Sequence, residues 1–463
     1  MKYFKLTILV IISLLITTSC LDDMVDSDPK HQLPEETLIT DETSAMNALY
    51  GVYDGLQDEY ATNAYYICFV EVYADAVAHT GTYQISEGAV NSIYSNNTIL
   101  GTTWRRIYQI IIRANKVIKS VTDLPSDKIS NDARKQILGE SHFIRAYAYF
   151  KLVNLFGAVP LQLEPLAEGL TNIHLEKSSE ADVYAQIKMD LQVAITNLDH
   201  MQSAGEQFFA NKDVAIGLLG KVQLYTNENP TTIVSTLSPV INNTNLGLVS
   251  YSDLWTQSAN TEGLLRVDAT AADGNSLAFF FDKGKGGRHE VGASEFLRNS
   301  FEPNDKRADF IVNKVISGAN YWVITKYNDV SSGSGQDKPY ILRLADVYLI
   351  YAEANMKVGT ATAIAEANTY YNLVRTRAGL GTKTLTSSNW KDLILAERNV
   401  ELFAEGDRWF DLKRQGVAEQ YIKAKLGTDA FTKVKDKYLL WPIPQAEING
   451  NNKLNESDQN PGY

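Results

Sequence analysis

The 463-residue chain contains little cysteine and histidine and no cluster of positive charge. Its two cysteines, Cys20 and Cys68, exclude a framework of several disulfides. Acidic residues outnumber basic ones by 55 to 43, which gives a formal net charge of −12. Because such a chain repels nucleic acid, we expect no nucleic-acid partner. The apolar neighbours of Cys68 favour a buried, unreactive thiol.

The motifs of common catalytic and metal sites are also missing. The six histidines include no HExxH pair and no other metal-ligand spacing. There is no GxSxG elbow and no P-loop, and the glycine run at 284–287 lacks the spacing of a nucleotide-binding loop. We therefore expect a protein that is not an enzyme, with no catalytic residues, no metal and no cofactor.

One cluster of carboxylates could be catalytic, because paired acids form the catalytic centre of glycosidases. In this cluster each acidic residue has a basic neighbour at helical spacing. That spacing predicts ion pairs within one helix rather than catalysis. The predicted pairs are Glu401 with Arg398, Glu405 with Arg408, and Asp411 with Arg414.

Long hydrophobic runs are confined to the N-terminus, where two lysines precede an apolar segment at 6–16. That segment is too short for a permanent transmembrane helix. Small residues then lead to Cys20, a pattern that resembles a bacterial lipobox, although Thr17 stands where leucine is usual. We predict a signal peptide over 1–19, followed by a lipidated Cys20 and an acidic tether over 20–40. The alternative is a plain secretory signal.

Helical periodicity dominates the rest of the chain, and Asp41 is predicted to cap the first helix. Between about 245 and 340, Gly, Ser, Asn and Asp become frequent, and segments such as 321–324 predict short strands. The pattern favours tetratricopeptide-like helical pairs, with an irregular helical bundle as the alternative. Apolar stripes predict helices at 107–118, 137–155, 183–198, 211–226, 231–242, 341–358, 361–378 and 388–415.

Aromatic residues outside the helical stripes suggest a ligand site. The chain has 25 tyrosines, and flat aromatic faces give a large contact area at low entropic cost. Such faces stack on sugar rings, while Asp, Arg and His side chains bond hydroxyl groups. For each candidate the alternative is local packing, and Trp104 is predicted to belong to the core. The candidate ligand residues are Asp75, His79, Tyr83, Tyr94, Arg288, His289, Tyr321 and Trp322.

Two long C-terminal segments resemble the SusD/RagB family of outer-membrane nutrient-binding lipoproteins of Bacteroidetes. Residues 396–414, AERNVELFAEGDRWFDLKR, are similar to the family signature ER-x-x-EL-x-x-EG-x-RWFDLKR. Residues 440–448, LWPIPQAEI, and the terminal QNPGY resemble the family's tail. The segments PNDKR at 303–307 and VRTRAGL at 374–380 also fit, as does the pattern of Trp104, Tyr108, Ile111, Ala114 and Asn115.

The resemblance implies a mainly α, SusD-like fold with four tetratricopeptide-like helical pairs and a loop-rich region with short strands. It implies a single domain over 41–463. Its signature residues are expected to hold the fold, with Trp409 and Phe410 packed inside. Within the domain we expect a helical scaffold at about 41–242 and 341–416, a variable ligand face at about 245–340 and a tail at 417–463.

The resemblance also implies a function. It predicts a lipoprotein of the outer membrane, facing outward, that captures an oligosaccharide and delivers it to a SusC-like TonB-dependent transporter. The expected partners are therefore a glycan, the transporter and, through the lipid on Cys20, the membrane. The alternative is a peptide- or amino-sugar-binding member of the same family.

Overall fold

The computed structural model describes residues 39–58, 61–81, 84–167, 170–256, 259–426 and 439–463. The predicted signal peptide, Cys20 and most of the predicted tether lie outside the described residues, as does Tyr83. The fold is mainly helical, which confirms the predicted class. Among the described residues, no helix has both the length and the apolar character needed to cross a bilayer.

The helices of the described residues are α1 (Glu42–Gln57), α2 (Ala64–Tyr73), α3 (Ser86–Ala89), α4 (Thr98–Asp123), α5 (Asn131–Phe156), α6 (Glu180–Asn197), α7 (Lys212–Tyr225), α8 (Pro230–Ile241), α9 (Tyr251–Thr256), α10 (Leu277–Phe281), α11 (Glu295–Asn299), α12 (Leu344–Val358), α13 (Ala361–Arg377), α14 (Trp390–Leu402), α15 (Arg408–Arg414), α16 (Ala418–Leu426) and α17 (Gln445–Gly450). The strands are β1 (Val77–His79), β2 (Val159–Pro160), β3 (Lys177–Ser178), β4 (Gly263–Arg266), β5 (Val291–Ala293), β6 (Ile311–Ile316), β7 (Ala319–Ile324) and β8 (Tyr340–Arg343). Within the part of the chain that the structure describes, the strands form two-stranded sheets, namely β1–β5, β2–β3, β4–β8 and β6–β7.

Short polar side chains cap the N-termini of several helices. Asp41 caps α1 as predicted, because its carboxylate accepts the Ser44 N–H at 2.8 Å and the Ser44 hydroxyl reaches back to it. Ser130 and Ser179 accept backbone N–H groups in the same way at α5 and α6. Gly359, with φ of +73°, ends α12 in the left-handed conformation that glycine favours.

Consecutive helices pack side by side along the chain, from α4 to α8 and again in the pair α12–α13. Glycine permits the closest of these approaches: a Cβ on Gly220 of α7 would lie 2.3 Å from the Leu237 Cδ2 atom of α8. This close packing of helical pairs is consistent with tetratricopeptide-like units.

A continuous hydrophobic core connects the first helix to the C-terminal tail. Trp441 of the tail packs edge-on against Phe69 at 5.0 Å between ring centroids and also contacts Tyr73 and Phe156. Trp104, Trp409 and Phe410 are buried, as the sequence predicted, and so is Cys68.

The single helix predicted over 388–415 is wrong. The chain turns between α14 and α15, where Ala404 and Gly406 have φ of +59° and +88°. This five-residue connection, 403–407, is called the signature turn below. Its Glu405 and Asp407 lie outside both helices, so helical spacing no longer governs their partners.

Ion pairing in this region also differs from the prediction. Only Asp411 and Arg414 form the predicted pair at helical spacing, at 2.8 Å. The other side chains reach partners in distant segments, because they are buried where several elements meet. Arg398 pairs with Asp346 and Asp411, and Arg408 pairs with Asp75. Glu401 forms ion pairs with Arg307, Arg343 and Arg377. Glu405 forms ion pairs with Lys326 and Arg343.

Candidate ligand-binding face

Two small sheets bring together residues that are more than two hundred positions apart in the chain. Strands β1 and β5 pair antiparallel, with His79 opposite Val291. Strands β6 and β7 form a hairpin that packs on β5, with Lys314 opposite Tyr321. Ser317 and Gly318 have φ of +51° and +81°, and positive φ at both central residues is the geometry of a tight hairpin turn.

Two histidines lie at the base of this arrangement. The Thr80 hydroxyl donates to the His289 carbonyl at 2.6 Å and lies 3.1 Å from Nδ1 of the same residue. Burial lowers the pKa of His289 and also that of His79, for which the nearby Glu290 carboxylate partly offsets the effect. Both imidazoles are therefore neutral at pH 7, and each offers one donor and one acceptor.

Arg288 and Glu290 flank the histidines. Arg288 Nε lies 2.5 Å from Glu290 Oε1; the arginine side chain is 42% exposed, whereas the carboxylate is buried. The backbone N–H groups of Thr80 and Gly81 donate to the Glu290 carbonyl. A Cβ atom on Gly81 would lie 2.8 Å from the Cα atom of Glu290, so the backbones approach more closely here than a larger residue allows. This packing leaves Arg288 as the charged group that solvent can reach.

Aromatic residues of β7 complete the surface. The Tyr321 ring meets the His289 ring edge-on at 5.4 Å, and the neighbouring Trp322 is 37% exposed. The Arg298 guanidinium lies 4.6 Å from the centroid of the Trp322 ring, which is a cation–π contact. The term "hairpin face" is used below for the region around the β6–β7 hairpin that contains His79, Arg288, His289, Tyr321 and Trp322. His289 is only 5% exposed in this region. Tyr321 and Trp322 are neighbours in β7, so their side chains lie on opposite sides of the strand.

The remaining candidate residues lie elsewhere. Asp75 precedes β1, but both of its carboxylate oxygens accept from Arg408, at 2.9 and 3.2 Å, so it is engaged in an ion pair. Tyr94 is 62% exposed, and its backbone N–H bonds Glu87 rather than a residue of the hairpin. Tyr83 belongs to the residues that the structure does not describe.

Sequence reasoning missed three residues of this region, namely Thr80, Glu290 and Arg298. Thr80 and Glu290 are immediate neighbours of predicted residues, and the pairing of β1 with β5 determines their contacts. No local sequence pattern predicts the pairing of these two strands. A basic residue four positions after an N-cap serine was the available signal for Arg298, whose guanidinium also donates to the Ala293 carbonyl at 2.9 Å.

The signature turn holds both halves of the hairpin face. After β7, Lys326 Nζ donates to the Phe403 carbonyl at 2.6 Å, and the Tyr327 hydroxyl donates to the Ala404 carbonyl at 3.0 Å. Before β1, the Glu71 carboxylate accepts the Gly406 N–H at 2.6 Å. One turn therefore fixes the approach to β1 and the exit from β7.

The chemistry of the hairpin face is that of binding. An exposed indole and an accessible guanidinium can contact apolar and hydroxyl groups. Within the described ranges, no three His, Cys, Asp or Glu side chains are arranged to hold a metal ion.

Two family models match the chain over different segments. The model described as "SusD family" matches residues 299–463, and the model described as "Starch-binding associating with outer membrane" matches residues 21–224. A curated relative, SusD-like protein P25 of Formosa agariphila, is 25% identical, and the match covers 98% of this chain and 99% of that protein.

Solved structures agree with these matches. A SusD superfamily protein from Bacteroides vulgatus superposes with a TM-score of 0.79 at 23% identity, covering 89% of this chain and 98% of the other. A laminarin-binding SusD-like protein superposes with a TM-score of 0.78 at 26% identity, covering 92% of this chain and all of the other.

Proposed function

Because this chain belongs to the SusD/RagB family, we propose that it captures an oligosaccharide on the hairpin face and delivers it to a SusC-like TonB-dependent transporter. The observation that carries the ligand assignment is the exposed indole of Trp322, which the Arg298 guanidinium contacts at 4.6 Å. The names of a family model and of a structural relative, which mention starch and laminarin, support a glycan ligand.

Each part of the hairpin face has a task in this proposal. Trp322 presents an apolar ring against which the apolar side of a sugar can lie. Arg288 donates to sugar hydroxyl or ring oxygen atoms, and the neutral histidines beneath position Tyr321 and Thr80. Arg298 holds the indole from one side, so that less entropy is lost when the ligand binds.

Calorimetry tests the ligand assignment on residues 20–463 carrying Cys20→Ser. The titrants are amylose, laminarin, their hexasaccharides and a panel of peptides. We expect saturable binding of a glycan, weakened more than tenfold by Trp322→Ala, because loss of a central aromatic anchor costs about 2 kcal/mol or more. Leu373→Ala, which truncates a 41%-exposed side chain on α13, serves as the matched control and is expected to change nothing.

Two results would contradict the proposed ligand or its site. Binding of peptides alone would favour the peptide-binding alternative, and unchanged glycan affinity in Trp322→Ala would remove the hairpin face as the site. Chromatography of the glycan after incubation tests for catalysis, and we expect no product.

The anchor and the partner need their own experiments. We propose that Cys20 is lipidated and holds the protein on the outer membrane, facing outward; the matching family description, which includes association with the outer membrane, supports this location. Mass spectrometry of the mature N-terminus is expected to find an acylated Cys20. Protease shaving of intact cells tests the orientation, and co-purification of a TonB-dependent transporter with the full-length chain tests the partnership.

A further inference from the structure

We propose a second carbohydrate site, in a groove beside helix α1, that is separate from the hairpin face and binds a neutral glycan chain; the inference depends on the proposed function. The groove lies between α1 and the segments around Phe209 and Asp268, and its free volume is about 400 Å³. No residue that lines this groove belongs to the hairpin face.

Exposed aromatic rings form the centre of the groove. Tyr50 is 49% exposed and Phe209 is 42% exposed, and their ring centroids are 6.2 Å apart with 50° between the planes. Large apolar side chains that remain this accessible, and that lie next to each other, are a feature of contact surfaces rather than of a core. The two rings offer neighbouring platforms to successive sugar units.

The platform is fixed before any ligand arrives. The Tyr53 ring packs edge-on against Phe209 at 5.3 Å, and its hydroxyl accepts the Ala210 N–H at 2.7 Å. The same hydroxyl donates to the buried Glu140 carboxylate, and Asn211 then donates to the Leu264 carbonyl at 2.9 Å. Phe209 is therefore held in its exposed position by contacts on either side, which lowers the entropic cost of binding.

Two further depressions border the groove. Asp54 and Gln57 also line a depression of about 260 Å³ that contains Arg113. Phe209 also lines one of about 560 Å³ that contains Gln136 and His200. Because hollows lie next to the aromatic centre on both sides, an extended chain suits this surface better than a single ring.

Polar side chains indicate the chemical class of the ligand. Carboxylates, amides and guanidinium groups line the walls directly beside the two rings, whereas the centre of a protein–protein interface is depleted of charged residues. Acids outnumber bases along the groove, where Asp54, Asp268 and Asp273 accompany Arg266, so the walls disfavour an anionic ligand. Hydroxyl groups of a neutral glycan suit such walls better than an anionic polymer or an apolar protein surface.

The test compares short and long ligands on residues 20–463 carrying Cys20→Ser. The probes are maltohexaose, laminarihexaose, amylose and laminarin, and the variants are Tyr50→Ala/Phe209→Ala, Trp322→Ala and the control Leu373→Ala. Native mass spectrometry is expected to count two hexasaccharides on the wild-type chain and one on either of the first two variants. Affinity for the matching polymer is expected to fall at least tenfold in the groove variant, because one of two linked contacts is lost.

Three outcomes overturn the proposal, and they differ from one another. If the groove variant keeps the wild-type stoichiometry and polymer affinity while Trp322→Ala loses binding, only the second site fails. If the wild-type chain binds none of the four probes, the glycan assignment fails as a whole. If the groove variant binds glycan normally but no longer co-purifies with a transporter, the groove is a protein contact. Because both altered side chains are only about half buried, the thermal unfolding midpoint is expected to fall modestly, and a single cooperative unfolding transition confirms that the variant is folded.

Discussion

Replacement of Arg343 by methionine tests whether the buried charge network stabilises the fold. Arg343 is 1% exposed and reaches three buried carboxylates: Glu262 at 3.0 Å, Glu401 at 2.5 Å and Glu405 at 2.8 Å. Removing one member of a buried ion pair leaves charge without compensation and costs about 3–5 kcal/mol. Typical domains are stable by only about 5–15 kcal/mol, so we expect a large fall in the denaturant midpoint.

The remaining cations limit but do not remove this cost. Glu405 keeps Lys326 at 2.7 Å, and Glu401 keeps Arg307 at 2.9 Å. The appropriate assay is unfolding by guanidinium chloride at pH 7.5, monitored by tryptophan fluorescence. The matched control is Arg113→Met, which breaks an exposed ion pair and is expected to cost less than about 1 kcal/mol.

The pH dependence provides a second measurement on the same variant. Burial raises the pKa of Glu401, but the guanidinium groups of Arg377, Arg343 and Arg307 outweigh it and lower the pKa overall. A carboxylate with a lowered pKa contributes stability above its unfolded value of 4.5, and this contribution is lost as the pH falls further. The difference in the free energy of unfolding between wild type and Arg343→Met should therefore become smaller at acidic pH. A cost no greater than that of Arg113→Met at pH 7.5 would refute the reasoning.

Three further predictions concern packing, titration and thiol access. Gly220→Ala is expected to destabilise the protein by about 1–3 kcal/mol through overpacking against Leu237, as measured by thermal unfolding. Burial raises the pKa of Glu71 to about 7, so the contribution of this group to stability should fall as the pH rises from 4.5 to 7, and the unfolding midpoint of Glu71→Gln should fall less than that of wild type over this range. In the chain carrying Cys20→Ser, Cys68 should react with a thiol reagent only after denaturant is added, because it is buried.

The packing experiment has an internal reference. Gly101 lies in α4 with open space around the position of a Cβ atom, so Gly101→Ala should instead stabilise the protein by about 0.5–1 kcal/mol. A rise in stability for both glycine variants, a pH profile of Glu71→Gln like that of wild type, or rapid labelling of folded Cys68 would contradict the corresponding prediction.

Local signals in the sequence predicted most of the helices. The Asp41 cap, the stripes of α5 to α8 and the strand that contains Trp322 follow from hydrogen bonding and periodicity within a few residues. The signature turn was missed because its apolar pattern is compatible with a continuous helix. Only the tertiary contacts of Gly406 and Ala404 reveal the break.

Prediction of the candidate site was limited in the same way, by contacts between segments that are far apart in the chain. Residue type and position brought His79, His289 and Trp322 into the prediction, and the structure places His79, Tyr321 and Trp322 on two adjoining sheets, with Arg288 and His289 just before β5. It could not be predicted that both oxygens of Asp75 are taken by Arg408, because that contact joins segments more than three hundred positions apart. The groove beside α1 had no sequence signal, since Tyr50 and Phe209 meet only after folding.

The contacts of the signature turn have a consequence for protein engineering. Three of them use backbone atoms of the turn, namely the carbonyl groups of Phe403 and Ala404 and the N–H group of Gly406. The exposed side chains of β6 and β7 can therefore be exchanged, with the buried Val323 and Ile324 kept, without altering what holds the hairpin at its base. A scaffold of this kind can accept transplanted hairpins from relatives with other ligands, provided that Lys326, Tyr327 and Glu71 are retained.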